Sequence, residues 1–579
     1  MKKIAIEHLA RVEGNGGVTA TIDGRLVTDV KFFVNEGPRL VERLVLGKTP
    51  EEDVNLVPRI CAICSVSHKY AAIRALENAL GVKVSAKVTL LRELMLLGEM
   101  IESHSLHVYF LALPDYLGFP SAVAMASKYS FETKIALEMK QFGNHIMKTV
   151  SGRFIHGENP VIGGFGKYPS REEFVWIRNR AIQFMPFALK TAKLFAEVNY
   201  PNCPEAGTIF SCLNPDQEKF GFVGDEILLS TGEKISVKDY RDLTNEFLVS
   251  HSTCKRSHYK GKPYSVGALA RINNLGERLE AEAGKMYKKY FNSHWKKNPL
   301  YNNAAQGLEI LYSFERIPQV IDELLKLPDP PLVKYTKKEG KGAGAVEAPR
   351  GTLFDCYEVS GGRIAFADIV TPTAQNAEDI ERYCYLAAQK LLEEGQEDKV
   401  KERMDLVVRS FDPCISCSVH MVQVKKATEE DWKEKLASLI KSESVVFVGL
   451  GKENHGDDGA GRELALRLRE QGVKDVWLEE EIEDSFWEKN FPQPLIFIDA
   501  VCFGENPGKI ALLPLQYVLW NSVSSHRLSL FLRNSLNYDQ INNSFVLGIQ
   551  PGLIEEGKGI SRSVSQALQK ILDEIKNYD

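Results

Sequence analysis

Two short segments carry residues able to do chemistry. Arg59-Ile-Cys61-Ala-Ile-Cys64 runs on into Ser-Val-Ser-His68, and Asp412-Pro-Cys414-Ile-Ser-Cys417 runs on into Ser-Val-His420. A CxxC spacing sets two thiols about one turn apart, where both can bind one soft metal or two metals that share a bridging sulfur. Two such pairs supply a four-thiolate site. On spacing alone three other readings stay open. A structural zinc ribbon closes its two CxxC knuckles over some 15 to 20 residues, whereas more than half of this chain separates Cys64 from Cys414. A thiol–disulfide exchange motif needs one CxxC at a helix start in a βαβ setting and leaves the second pair unexplained. Unrelated buried cysteines leave the shared Ser-Val and the following histidine without a reason.

The elements that must position these pairs follow from periodicity. Residues 1–35 read as strands, with Asp23-Gly24 a hairpin signal between alternating segments. From about residue 66 to 110 the pattern is helical, first HKYAAIRALENALGV stopping at Gly81 and then LLRELMLLGEMIESHSLHVYF. Helices are expected to dominate the middle. Residues 325–349, LPDPPLVKYTKKEGKGAGAVEAP, are rich in Pro, Gly and Lys and read as a long loop, after which a helix begins at Asn376. Beyond residue 420 the composition shifts. Residues 421–443 are charged with a few apolar positions at helical spacing, and VVFVGLG, GRELALRLREQG, LIFIDAV and FVLGIQP then give an α/β module over 444–579. Its Gly449-Leu-Gly451 turn invites a dinucleotide reading. That reading fails because residue 454 is Asn rather than Gly, and Asp457 and Asp458 stand where a pyrophosphate would sit.

Composition excludes whole classes. The 579 residues are 44% hydrophobic and 26% charged, values of a folded globular protein. Lys plus Arg is 72 against 77 Asp plus Glu, a net charge of -5, so no positive excess exists to neutralise nucleic acid. No stretch approaches about 18 consecutive apolar residues, and Glu7, Arg11 and Glu13 interrupt the N-terminal segment before a signal-like run forms. Ten cysteines are too sparse for a disulfide scaffold. A cytoplasmic protein without a membrane span is expected.

The paired motifs are together specific: the chain resembles the large, catalytic subunit of nickel-iron hydrogenases over about residues 1–420. Arg11-Val-Glu13-Gly14, Arg39-Leu-Val-Glu42, Gly267-Ala-Leu-Ala-Arg271 and Glu347-Ala-Pro-Arg350-Gly351 extend the likeness between the cysteine pairs. Read singly, Glu13 is a surface acid beside a glycine, Arg350 a loop arginine and Glu42 an ion-pair partner of Arg39 or Arg43. The resemblance implies more. Cys61 and Cys414 would be terminal nickel ligands, and Cys64 and Cys417 would bridge nickel to an iron bearing cyanide and carbon monoxide. Glu13 would accept the proton that Cys414 takes up when dihydrogen is split, Arg350 and Asp412 would flank the open metal position, and His68 would reach a bridging sulfur. Glu42 and His420 would hold a magnesium ion. Three departures stand out: Ala62 where the family usually has Gly, Asp355 where a histidine is common, and Ser103 where an acid often partners the active-site arginine, which leaves Arg350 without that partner.

Residues 444–579 resemble the hydrogenase maturation endopeptidases through Gly449-Leu-Gly451, Gly456-Asp457-Asp458-Gly459, Leu495-Ile-Phe-Ile-Asp499, Ser525-His526 and Gly548-Ile-Gln-Pro551. The likeness implies a metal-contacting triad of Asp458, Asp499 and His526, able to hold nickel or another divalent ion at the carboxyl ends of the strands. Lys452 stands where that family has Asn. Such enzymes cleave a C-terminal extension just after the histidine of the second cysteine motif, which here is His420.

The expected fold is therefore α+β, a mostly helical large-subunit domain over 1–420, a linker over 421–443 and a smaller α/β peptidase-like domain over 444–579. The tether 421–443 would span at most roughly 75 to 83 Å extended, about 24 to 29 Å as a flexible coil and on the order of 35 Å as a helix. The remaining cysteines form no close set of four for an iron-sulfur cluster. An iron-sulfur small subunit is thus implied as partner, with further electron-transfer subunits and metal-insertion maturation factors. The rival class is a non-catalytic scaffold or regulatory subunit carrying a permanently fused docking domain.

Overall fold

A computed structural model of the chain describes residues 2–37, 40–249, 251–336, 338–419, 431–442, 445–482, 494–501, 506–515 and 544–576. It divides into two units, Met1–Val422 and Gln423–Asp579. Among the described residues no helix is long and apolar enough to cross a membrane.

The first unit opens with a three-stranded antiparallel sheet, Lys2–Ile6, Gly16–Asp23 and Leu26–Val34. Asp23 pairs with Leu26 across the turn that Asp23-Gly24 predicts, and one register shift at Thr21/Ile22 marks a bulge. The Ser65–Leu80 helix follows the first cysteine pair and ends at Gly81, whose left-handed φ of 69° closes it. Cys64 stands at its N-cap without capping it. The orphan N–H groups go instead to Glu99, which accepts from Val66 at 2.8 Å and Ser67 at 3.1 Å. Glu99 lies on the Ala86–Leu106 helix, which packs against Ser130–Ser151 and Asn302–Leu324, and Asn302–Leu324 packs in turn on Arg171–Glu197. Beyond Leu106 the backbone takes one π-helical turn, His107–Ala112. That turn breaks the simple helical period read from the sequence, as π-turns at functional sites do.

The Gly-rich stretch read as a long loop is, from residue 340, a strand. Gly340–Ala348 pairs antiparallel with Gly351–Ser360, which pairs with Arg363–Val370. A Cβ on Gly340 would lie 2.0 Å from the Ala79 carbonyl oxygen, and on Gly344 2.4 Å from the Ala75 nitrogen. The glycines thus let the strand press on the backbone of the Ser65–Leu80 helix. The helix expected at Asn376 begins earlier, at Pro372, because Pro suits the first helical position. Asn376 accepts instead from the Val266 N–H at 2.8 Å.

Below the site a buried ion network locks the chain. Arg271 donates to both oxygens of Glu309, at 2.6 and 2.7 Å, and to Glu347 at 2.7 Å. Its remaining donors reach the carbonyls of Ala348 and Pro349, both at 3.1 Å. All three side chains are fully buried.

In the second unit a five-stranded sheet runs Val476–Leu478, Val446–Gly449, Leu495–Ala500, Phe545–Ile549 and Ile510–Pro514, parallel except for the last pair. The helices Ala460–Glu470 and Arg562–Lys576 pack against each other. Part of the stretch read as a linker belongs here: Asp431–Ser442 is a helix whose Trp432 and Leu436 are buried in this unit's core. Its few apolar positions at helical spacing are this contact.

Replacing Arg271 with Met would strand Glu309 and Glu347 as buried carboxylates, a loss of about 3–5 kcal/mol. Lys, lacking the planar fork, should not restore it. Urea unfolding of the two variants checks this, and a loss below about 1 kcal/mol, the scale of an exposed pair, would contradict the clamp.

Candidate metal centre

The two cysteine pairs meet. Their four sulfurs all lie within 4.8 Å of one another and all four residues are buried. Cys61 Sγ stands 3.5 Å from Cys414 Sγ, and Cys64 Sγ 3.9 Å from Cys417 Sγ. The first pair leaves the short helical turn Val57–Ile60 and enters the Ser65–Leu80 helix, so the Cys64 N–H reaches Cys61 Sγ at 3.3 Å. The second pair follows the Val400–Ser410 helix through Asp412, a non-glycine residue at φ 50°. Cys414 is pinned on two sides: its N–H donates to Thr373 Oγ1 at 2.9 Å, and it forms an isolated parallel bridge with Glu13.

That bridge brings Glu13 to the sulfur. Cys414 Sγ donates to Glu13 Oε2 at 3.2 Å, and the Ser416 N–H donates to the same oxygen at 3.1 Å. Gly14, at φ 88°, permits the approach, since a Cβ there would lie 2.8 Å from both Ile415 Cβ and Ser416 N.

Arg350 finds the partner that Ser103 does not supply. Its Nε donates to the Asp412 carbonyl at 2.9 Å, and Nη2 lies 3.2 Å from Asp412 Oδ1. Gln306 Nε2 donates to Asp412 Oδ2 at 2.9 Å, and His107 Nδ1 meets Gln306 Oε1 at 2.6 Å. Burial works against the Asp412 carboxylate, yet Arg350 and His107 hold it below its ordinary range. Ser103 is buried with its hydroxyl unpartnered. Gln306 and His107 were invisible in the sequence, because they meet only across the π-turn and a distant helix.

The site's electrostatics are those of a thiolate nest. Hydrogen bonds from Cys414, Cys417 and Cys64 push Cys61 well below an ordinary thiol, helped by the Arg350 charge and opposed by burial. Burial pushes Cys414 and Cys417 up. His68 is driven down to about 4 by burial, so its ring is neutral, and its Nδ1 has no partner. Arg350 Nη1 is likewise buried and unpartnered. Four soft donors ringed by unsatisfied polar atoms fit a thiolate-bound metal centre.

Glu42 lies apart from the cysteines in its contacts. Its Oε1 accepts from the Ile369 N–H at 3.0 Å and stands 3.4 Å from Lys255 Nζ, while Oε2 is buried without a partner, a donor that suits a hard cation. Among the described residues Lys255, also 2.6 Å from Glu246, supplies the counter-charge. Asp355, the second departure, is buried and accepts from Tyr357 at 2.9 Å. Arg39 and His420 lie outside the described residues.

The Nickel-dependent hydrogenase family profile matches residues 39–156 and 224–420. The chain belongs to the nickel-dependent hydrogenase family. Sulfhydrogenase 1 subunit alpha of Pyrococcus furiosus is 40% identical over 422 residues, 73% of this chain and 98% of that protein. Sulfhydrogenase 2 subunit alpha of the same organism is 39% identical over 422 residues, again 73% of this chain and 100% of that protein. The solved structure of an NAD+-reducing [NiFe]-hydrogenase in its H2-reduced state superposes with a TM-score of 0.66 at 26% identity, covering 72% of this chain and 100% of that one. The first unit therefore has the nickel-iron hydrogenase large-subunit fold, mixed helix and sheet. This hydrogenase chain is a catalytic subunit of the nickel-iron type, an oxidoreductase acting on dihydrogen, and its cysteine cluster is the site of a nickel-iron centre.

In the second unit Asp499 is the penultimate residue of the Leu495–Ala500 strand, and Asp458 follows the neighbouring parallel strand, Val446–Gly449; both are buried. Asp458 Oδ2 accepts from the Lys452 N–H at 3.4 Å. His526 and Ser525 lie outside the described residues.

Because Cys414 and Cys417 hold their protons at neutral pH and a metal binds thiolate, nickel(II) uptake by the metal-free hydrogenase chain should release protons. Affinity should rise by roughly tenfold per pH unit for each proton displaced. Calorimetry in buffers of different ionisation enthalpy counts those protons, and an affinity unchanged between about pH 6 and pH 8 would contradict the thiol states.

Proposed function

We propose that the chain carries out the reversible heterolytic cleavage of dihydrogen and passes electrons to an iron-sulfur small subunit. The observation that carries this reading is the Cys414 Sγ to Glu13 Oε2 contact at 3.2 Å, at the edge of the four-sulfur cluster. Cys61 and Cys414 would be the terminal ligands of nickel, and Cys64 and Cys417 would be shared with an iron carrying cyanide and carbon monoxide. When bound, the centre supplies the polarisation that splits dihydrogen. The chain's own residues handle the proton. Cys414 Sγ takes it up and donates it to Glu13 Oε2, a carboxylate within hydrogen-bond reach and able to ionise. Arg350, fixed by Asp412, keeps a positive charge beside the sulfurs, which favours thiolate over thiol. His68, neutral and with Nδ1 to spare, would hydrogen-bond one of the shared sulfurs.

Glu42 and His420 would hold magnesium, a reading that the orphan Glu42 Oε2 favours. Among the described residues no other set of three or more His, Cys, Asp or Glu ligand atoms gathers as the cysteines do. That supports electron exit through a partner's clusters, and relatives named as alpha subunits agree with a multi-subunit complex. Further electron-transfer subunits and metal-insertion factors complete the set.

For the second unit the reading is a maturation endopeptidase that cuts after His420. A parallel sheet with buried acids at the carboxyl ends of adjacent strands supports it, as does a family match ending at residue 420. Asp458, Asp499 and His526 would hold a divalent ion. Because residues 431–442 fold onto this unit, the reach of cis cleavage rests on residues 420–430, at most roughly 36–40 Å extended.

In the native complex Glu13→Gln should retain nickel and iron while slowing deuterium–proton exchange by about 100-fold or more, since an amide cannot relay a proton. Metal analysis beside gas-phase mass spectrometry tests it. Unchanged exchange would remove Glu13 from the path, and zinc without nickel would remove the whole reading.

For processing, intact mass should show the wild-type chain ending at His420 after metal loading and the Asp499→Ala chain uncut. A full-length wild-type chain with full activity would mean a permanent fusion.

A further inference from the structure

The ring of His107 faces an acceptor on each side. Its Nε2 lies 2.9 Å from the Arg409 carbonyl oxygen, which can only accept, and its Nδ1 lies 2.6 Å from Gln306 Oε1. The orientation of that amide is set by its other end. Gln306 Nε2 donates to Asp412 Oδ2 at 2.9 Å, and Arg350 Nε and Nη2 both lie 3.2 Å from Asp412 Oδ1, which marks Asp412 as a carboxylate. An amide turned the other way would set oxygen against that carboxylate, so Gln306 must present its carbonyl to His107. A neutral imidazole carries one N–H and satisfies only one of two acceptors. His104, one turn earlier, makes the contrast: it meets Glu309 through Nε2 at 2.8 Å, and its Nδ1 has no partner.

Two further features favour a charge on His107. The Arg409 carbonyl belongs to the last turn of the Val400–Ser410 helix, where orphan carbonyls and the helix dipole attract a cation. Asp412 Oδ1 stands 3.9 Å from the ring, while the Arg409 guanidinium is turned away to Asp115 and Asp405. His107, Gln306, Arg409 and Asp412 are all buried, so water does not supply the missing donors. We infer that His107 is a buried imidazolium, protonated on both nitrogens, which locks the Gln306 amide and through it holds Asp412 and Arg350 in place beside the four sulfurs. The inference rests on the reading of Arg350 as the fixed charge beside the metal centre. A neutral ring would set a lone pair against Gln306 Oε1, turn the amide and take the donor from Asp412 Oδ2. His107 touches neither the sulfurs nor dihydrogen, which makes it a positioning residue.

Neutron diffraction from crystals of the native metal-loaded complex at about pH 8, above the roughly 6.5 of an ordinary imidazole, reads these protons directly. Deuterium should appear on both His107 nitrogens and on the Gln306 nitrogen that faces Asp412. A ring with one deuterium overturns the inference. Variants of the same complex test the coupling. His107→Gln loses the donor at Nδ1, and Gln306→Met loses both amide contacts. Each should lower kcat for dihydrogen oxidation by about tenfold and shift the infrared bands of the iron's diatomic ligands, with nickel content and KM at wild-type values. His107→Asn, whose amide nitrogen can stand where Nδ1 stood, should return kcat to within about threefold. Because the two residues act through one chain of contacts, the double variant His107→Gln/Gln306→Met should be no slower than the slower single one. A merely structural role would neither move the bands nor be rescued by Asn. Multiplied losses of about a hundredfold in the double variant, or normal kcat and bands in both single ones, overturn the inference. A wild-type complex with neither nickel nor such bands overturns instead the reading of the metal centre, and the neutron map still decides the state of His107. Should a variant lose nickel, the wild-type map decides.

Discussion

The metal centre depends on a charge buried well away from it in sequence. Arg271 is fully desolvated, and it is tolerable only because Glu309 and Glu347 surround it and two backbone carbonyls take its remaining donors. Those carbonyls belong to Ala348 and Pro349, so the clamp fixes the backbone immediately before Arg350. Arg350 then reaches both the side chain and the carbonyl of Asp412, and only Pro413 separates Asp412 from the second cysteine pair. A single guanidinium thus fixes the angle at which the C-terminal thiols of the first unit meet the N-terminal ones.

Burying four thiols together is unfavourable unless charge is managed. In the protein as folded one proton set is shared unevenly: Cys61 carries the thiolate character, stabilised by three S–H neighbours and by Arg350, while Cys414 and Cys417 stay protonated. The arrangement needs a positive charge nearby that cannot be lost. Arginine meets that need at any relevant pH, where a lysine in the same desolvated position would be prone to shed its proton. The Glu42 region solves the same problem with Lys255, which shares three carboxylate neighbours and so remains charged.

Much of this was legible in the residues, and the parts that were not share a cause. The cysteine pairs, the hairpin at Asp23-Gly24 and the stop at Gly81 are local signals, and local signals survive into the fold. The Gly340–Gly344 stretch misled because glycine marks both loops and close backbone contact, and only the partner helix distinguishes them. Ser103 suggested an unpartnered Arg350, yet the answer lay in Asp412, already in view as part of the second motif. Ser416 and Glu13 also lay within the motifs quoted from the sequence. Their meeting was hidden because it depends on the parallel bridge of Glu13 with Cys414 and on a glycine whose φ permits it.

The second unit shows how adjacent acids separate into different tasks. Asp457 accepts from the N–H groups of Gly552, Leu553 and Ser561 and from the Ser561 hydroxyl, at 2.6 to 2.9 Å. Burial opposes its charge, but those donors hold it below its ordinary range. A carboxylate so fully engaged cannot also serve a metal well, since each lone pair given to an N–H is withdrawn from coordination. Its neighbour Asp458 accepts a longer bond, from the Lys452 N–H at 3.4 Å. The same division runs through the first unit. Glu99 and Glu347 are engaged by backbone donors and hold elements in place, whereas Arg350 Nη1, His68 Nδ1 and Glu42 Oε2 are buried and left unsatisfied. Beside the cysteine cluster, Arg350 and His68 thus each keep a buried polar atom that no protein group claims, which leaves them able to meet whatever the four sulfurs hold.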